Sequence, residues 1–179
     1  MERFIDIIYL LYFASHIPVA MFIDSQAVLP RWIYPKPAVD LVDWYMVEFG
    51  DSMMKGTQAW FQSFIVCEIL LQFPFFFVAL YAFWKGVSKN RWIRIPLIVY
   101  STHVTTVLIC IYHHLFLHDF SKDDLPGPKT TRDRVILGLI YFPYFIVPVM
   151  LLIDALFSSV YRTEPTQTRT VKPHSKKTR

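Results

Sequence analysis

Apolar residues gather in four long blocks, residues 4–24, 60–84, 95–117 and 135–157, separated by more polar stretches of which the first is the longest. A helix rising about 1.5 Å per residue needs roughly 20 residues to cross a 30 Å hydrocarbon core, and each block reaches that length. The pattern therefore predicts an all-α integral membrane four-helix bundle. Between the first two blocks the polarity becomes periodic. Asp40, Asp43, Glu48 and Asp51 fall within roughly 140° of a helical wheel, while Leu41, Val42, Trp44, Tyr45, Met46 and Phe49 take the rest. This is the signature of a short amphipathic helix lying on the membrane surface. Gly50 reads as its stop, and Asp51 as a cap for the next turn, a structural acid.

Prolines punctuate the blocks: Pro18 in the first, Pro74 in the second, Pro96 at the start of the third, Pro143 and Pro148 in the fourth. Each removes a backbone donor and pushes a helix off its axis, so proline-kinked helices splaying around a cavity are expected. Composition agrees with the membrane reading, at 54% hydrophobic, 17% aromatic and 18% charged residues. The first block reads as a retained helix and not a secretory signal, because Met-Glu-Arg carries no net positive charge and no small-residue cleavage site follows.

With four spans, both termini share a side with the loop between the second and third. Eleven Lys and Arg fall on that side and seven on the other, which predicts cytosolic termini and a luminal amphipathic helix. The membrane domain is expected over residues 1–161, followed by a disordered basic cytosolic tail over 162–179. In that tail Lys176 and Lys177 stand three and four places from the end, the register of a di-lysine retrieval signal, so residence in the endoplasmic reticulum membrane is expected.

Two cysteines, Cys67 and Cys110, lie inside spans and give neither a disulfide framework nor a C-x-x-C pair. There is no glycine-rich phosphate loop, and nothing suggests a nucleic acid partner. His16, His113, His114 and His118 are read as interfacial residues, so no metal and no cofactor is expected.

The polar residues inside the spans carry the chemistry. Glu68 and Gln72, four apart, share one face of the second helix. Tyr141, Tyr144 and Pro148 make a stripe on the fourth, and Tyr100, His103 and Thr106 one on the third. Hydrogen bonding between helices would account for any one stripe alone. Aimed at a common centre, the three would build a polar-aromatic chamber. Asp24, at the end of the first span among Met21, Phe22, Ile23, Val28 and Leu29, is expected to share that chamber with Glu68. Burial and mutual repulsion leave such a pair with one proton and one negative charge, a receptor site for a lipophilic amine or a sterol hydroxyl.

The runs L-Y-F-A-S-H-I-P-V-A-M-F-I-D-S-Q-A-V-L-P (Leu11 to Pro30), A-W-F-Q-S-F-I-V-C-E-I-L-L-Q-F-P-F-F (Ala59 to Phe76) and Y-F-P-Y-F-I-V-P (Tyr141 to Pro148) resemble the EXPERA family, whose enzymatic member is the emopamil-binding sterol isomerase. The resemblance extends from Ile8 to Tyr161 and lapses at the termini and over 121–134. It implies a receptor for cationic amphiphiles, sterols and oxysterols, with a part in cholesterol homeostasis and trafficking. It also implies a homodimer, association with the Niemann-Pick type C cholesterol transporter, and nuclear and lysosomal membranes as further locations. Within this resemblance Asp24 would form a salt bridge to a ligand amine and Glu68 would be its protonated partner. Gln72, Tyr100, Tyr141, Tyr144, Trp44, Tyr45 and Phe49 would line the cavity, and Asp51 would support it.

The competing expectation is a sterol delta8-delta7 isomerase. Shifting a ring double bond takes an acid and a base a few ångströms apart. Asp24 and Glu68 could supply two carboxyls, but the isomerase also uses a histidine and further acids within its helices. The second span has no histidine, and the fourth offers only Asp154 near its cytosolic edge. A non-catalytic binding protein is the expectation carried forward. A tetraspan scaffold would call for paired cysteines in its loops, and those are missing.

Overall fold

Residues 3–55, 58–122 and 127–162 are described in a computed structural model, so Lys176 and Lys177 lie outside the described residues. Six α-helices form: α1 (Phe4–Phe22), α2 (Lys36–Phe49), α3 (Ala59–Cys67), α4 (Phe73–Lys85), α5 (Arg94–Leu117) and α6 (Thr131–Phe157), and no strand occurs among the described residues. Four spans are long and apolar enough to cross a bilayer: Phe4–Ala27, Ala59–Lys85, Arg91–Leu117 and Thr131–Phe157. They extend the sequence blocks at several ends, because charged residues there cap helices instead of ending them. Thr130 and Asp133 form a capping box that starts α6 ahead of Val135. Arg94 donates to the carbonyls of Ala155 and Leu156, and Arg134 to those of Leu115 and His118. Each guanidinium at the start of one helix thus satisfies orphan carbonyls at the end of its antiparallel neighbour.

The distribution of residues is that of a protein solvated by lipid. Leu70, Leu71, Val99 and Leu139 point outward, while Asp6, His16, Glu68, Gln72 and Ser101 are buried. α5 packs along α6, and α1 along α4. Gly138 keeps the α5–α6 approach close, since a Cβ there would stand 3.2 Å from the Phe116 ring, and Tyr112 donates to its carbonyl at 2.9 Å. Where α1 begins and α6 ends, the Arg3 guanidinium reaches both oxygens of Asp154 at 2.7 and 2.8 Å and also grips Asp6.

α1 and α6 continue through Pro18, Pro143 and Pro148. Pro74 has a different effect. Without an N–H it cannot donate to the Leu70 carbonyl four residues back, and its ring crowds that carbonyl. The second span widens just before it into a π turn over Glu68–Gln72, where the Phe73 N–H bonds to the Glu68 carbonyl five residues back. Such turns inside helices occur frequently at functional sites.

α2 ends at Gly50, whose φ of 66° is left-handed and whose missing Cβ would meet the backbone of Gly127 and Pro128 at 3.2 Å. Asp51 Oδ1 then accepts from the Met53 N–H at 3.2 Å and opens a 3-10 turn. Only part of the α2 apolar arc is covered: Val42 is buried, whereas Leu41, Trp44 and Val47 remain exposed.

Candidate functional site

Near the α2 end of the bundle the helices part around a cavity of about 290 Å³. Its walls are mostly aliphatic and aromatic, with Val104, Val107, Leu108 and Ile111 from α5, Phe61, Phe64 and Ile65 from α3, and Leu41, Val42, Trp44 and Tyr45 from α2 closing one side. A volume of this size suits a small hydrophobic ligand. Five polar side chains face it from the spans: His16, Asp24, Glu68, Gln72 and Tyr144, with Tyr141 beside them.

Local structure sets each of these. α1 gives way after Phe22 to a 3-10 turn over Asp24–Ala27, which starts with Asp24 at the cavity. The turn is tied down on its far side: Ser25 Oγ donates to the Met21 carbonyl, Tyr34 donates to Ser25 Oγ at 2.7 Å, and Gln26 Nε2 donates to the carbonyls of Phe22 and Ala38. The π turn carries Glu68 at its first position and Gln72 at its last, both nearly buried and both on the cavity wall. From α1, His16 Nε2 stands 3.2 Å from Glu68 Oε1. One ligating atom from each of His16, Asp24 and Glu68 lies within 4.8 Å of the others. The His16 ring stacks on Phe76 at 4.7 Å, with Tyr144 and Tyr12 edge-on at 4.9 and 5.3 Å.

Asp51 is fully buried outside the cavity wall. Its Oδ2 accepts from Tyr141 at 2.7 Å and from Tyr45 at 3.0 Å, so one carboxylate fastens α2 to α6 and orients two cavity-facing tyrosines.

The sequence-based candidates separate into two groups. Asp24, Glu68, Gln72, Tyr141, Tyr144, Trp44 and Tyr45 reach the cavity. Tyr100 and Phe49 stand behind the wall. Tyr100 shares a hydrogen bond of 3.0 Å with Tyr12 and packs among Phe13, Phe75 and Phe76; Phe49 packs on Trp44 and Tyr45. The third-span stripe does not converge inward as expected. Thr106 is exposed and bonds back to the Thr102 carbonyl, and the inward face of α5 belongs to the aliphatics Val104, Val107, Leu108 and Ile111.

His16 is the residue that sequence reasoning misplaced. Expected at the water interface, it is 6% exposed. The signal was available in its position, since at 1.5 Å per residue His16 lies about 18 Å from Phe4, the middle of a membrane crossing. His113, His114 and His118, around the end of the third span, do not line this cavity. His114 and His118 stack at 4.4 Å beside Trp60 and Phe120, where the α5 helix ends. Among the described residues, the cluster able to offer three metal-ligating side chains is His16, Asp24 and Glu68.

The family model described as EXPERA (EXPanded EBP superfamily) matches residues 37–155. Sigma intracellular receptor 2 of Xenopus tropicalis is 49% identical over 167 residues, covering 93% of this chain and 96% of the relative. Its namesake in Homo sapiens is 46% identical over 157 residues, covering 86% and 88%. Efficient mitochondria targeting-associated protein 19 of Saccharomyces cerevisiae is 29% identical over 148 residues, covering 80% and 92%.

Proposed function

Because the chain belongs to the EXPERA family, we propose that it is a membrane receptor whose intramembrane cavity binds lipophilic cationic amines and sterols or oxysterols. The observation that carries this reading is the pairing of Asp24 and Glu68 at one apolar, aromatic-walled cavity. Two acids held that close keep one proton between them, and the remaining charge attracts an ammonium while Tyr144 and the His16 ring face its substituents. A sterol uses the same aliphatic walls and places its hydroxyl at the carboxyls or Gln72. Asp24 forms the salt bridge, Glu68 is its protonated partner, and Asp51 keeps α2 seated over the cavity.

The wider role follows from the same reading. The receptor resides in the endoplasmic reticulum membrane, retrieved through Lys176 and Lys177, with both termini cytosolic and α2 luminal. It acts in cholesterol homeostasis as a homodimer and as a partner of the Niemann-Pick type C cholesterol transporter.

His16 gives the isomerase reading a second hearing, since an imidazole beside two carboxyls is a proton-transfer set. Two measurements separate the readings. Asp24→Asn in the purified, folded protein should abolish binding of a radiolabelled lipophilic amine, and undiminished binding would refute the salt bridge. Incubation with a delta8 sterol should leave it unchanged; turnover lost in Glu68→Gln would establish an enzyme instead.

A further inference from the structure

We infer that His16, Asp24 and Glu68 form a binding site for a divalent transition-metal ion of the zinc class, mutually exclusive with an amine in the same cavity. With metal–ligand bonds of about 2.0–2.1 Å, two donor atoms of a tetrahedral zinc site stand about 3.3 Å apart. His16 Nε2 and Glu68 Oε1 already stand 3.2 Å apart. The Asp24 donor lies within 4.8 Å of both, and its side chain is free to swing on two torsions because it faces the cavity. No hydrogen bond to the Asp24 carboxyl occurs among the described residues, so turning that side chain toward the other two donors breaks none.

The burial and orientation of His16 fix which nitrogen can serve. His16 is 6% exposed, and its Nδ1 has no hydrogen-bond partner among the described residues. Its other nitrogen, facing Glu68 and the cavity, is where an ion would sit. Charge also matches, because two carboxylates with a neutral imidazole neutralise a dication, whereas a monocation needs one of the carboxyls protonated. The donor set selects the metal: imidazole with carboxylate suits zinc and its neighbours, while calcium takes six to eight oxygens and magnesium an octahedral shell. The cavity leaves the fourth position open. A ligating histidine usually donates its other N–H to a carboxylate or carbonyl, and losing that partner typically costs 10–100-fold in affinity. Micromolar binding is therefore the expectation, weaker than that of a structural zinc site.

The test titrates zinc chloride into the tag-free full chain in detergent, against a chromophoric chelator and without any amine. One equivalent of zinc should bind, raise the melting temperature, and be displaced by a lipophilic amine but not by millimolar magnesium. His16→Gln and Glu68→Gln should each weaken zinc at least tenfold and remove the melting shift, whereas His113→Ala/His114→Ala/His118→Ala should bind as wild type. Should a cavity variant fail to fold, X-ray absorption on the wild type decides: one imidazole nitrogen with oxygens at about 2.0 Å supports the site. An all-oxygen or multi-histidine shell, or zinc unaffected by His16→Gln, overturns it. Zinc binding without amine binding would refute the receptor reading alone, and amine binding without zinc would refute this site alone.

Discussion

Asp51 connects elements 90 residues apart, because Tyr141 and Tyr45 both donate to one of its oxygens. Burial pushes its carboxyl up from the ordinary value of 3.8, against the opposing pull of the two hydroxyls and the Met53 N–H. An acid with a higher pKa folded than unfolded holds its proton more tightly in the native state. The stability it contributes is complete below 3.8 and is lost as pH rises through the raised native value. Thermal melts of the wild type should therefore weaken as pH climbs from about 4, and Asp51→Asn should flatten that dependence. Tyr141→Phe, which removes one buried hydrogen bond, should cost roughly 1–3 kcal/mol in the same melts. At this scale the sequence was readable where a residue's own neighbours set its environment. Gly50 and Asp51 announce a stop and a cap, and Glu68 and Gln72 share a face by spacing. The depth of His16 was readable from its place in the first span, but its partners Glu68 and Tyr144 were not, since they come from other helices.

The second span shows why element type alone does not place a side chain. Four apolar blocks were legible as four crossings, and the amphipathic arc of Asp40 to Asp51 as α2, because periodicity records which face meets water. The π turn left no such trace. It arises from Pro74, which deprives the Leu70 carbonyl of its donor, and its consequence is the aim of Glu68 and Gln72. Proline inside a helix costs about 3 kcal/mol relative to alanine. Pro74→Ala should restore the missing hydrogen bond, let the turn tighten to α, and raise the melting temperature. The same change should rotate α3 against α4, carry Glu68 off the cavity wall, and weaken amine affinity at least tenfold. A stabilised protein with worse binding, measured on one sample, is the expected signature. The third span failed as a polar stripe for a related reason: α5 turns toward the cavity a face whose residues are all aliphatic, so no polar periodicity marked it.

At the scale of the whole bundle, two groups of largely buried polar side chains have opposite tasks. Asp24 and Glu68 face the cavity beside α2, whereas, where α1 begins and α6 ends, Asp6 and Asp154 are fully engaged by Arg3. Ser158 Oγ also accepts from Arg3, and Tyr161 donates to Asp154 at 3.2 Å. The clamp joins the first and last spans away from the cavity. Removing one partner of a buried ion group leaves charge uncompensated and typically costs 3–5 kcal/mol, whereas replacing the whole group with neutral residues is often neutral. Arg3→Ala should accordingly destabilise the protein by about 3 kcal/mol, discounted toward the low end because the guanidinium is 25% exposed. Arg3→Ala/Asp6→Asn/Asp154→Asn should recover most of that loss in thermal melts. Amine affinity in the triple variant should match wild type, because none of the three residues lines the cavity. Restored stability with lost affinity would instead mean that the clamp sets the shape of the cavity from the far end of the bundle.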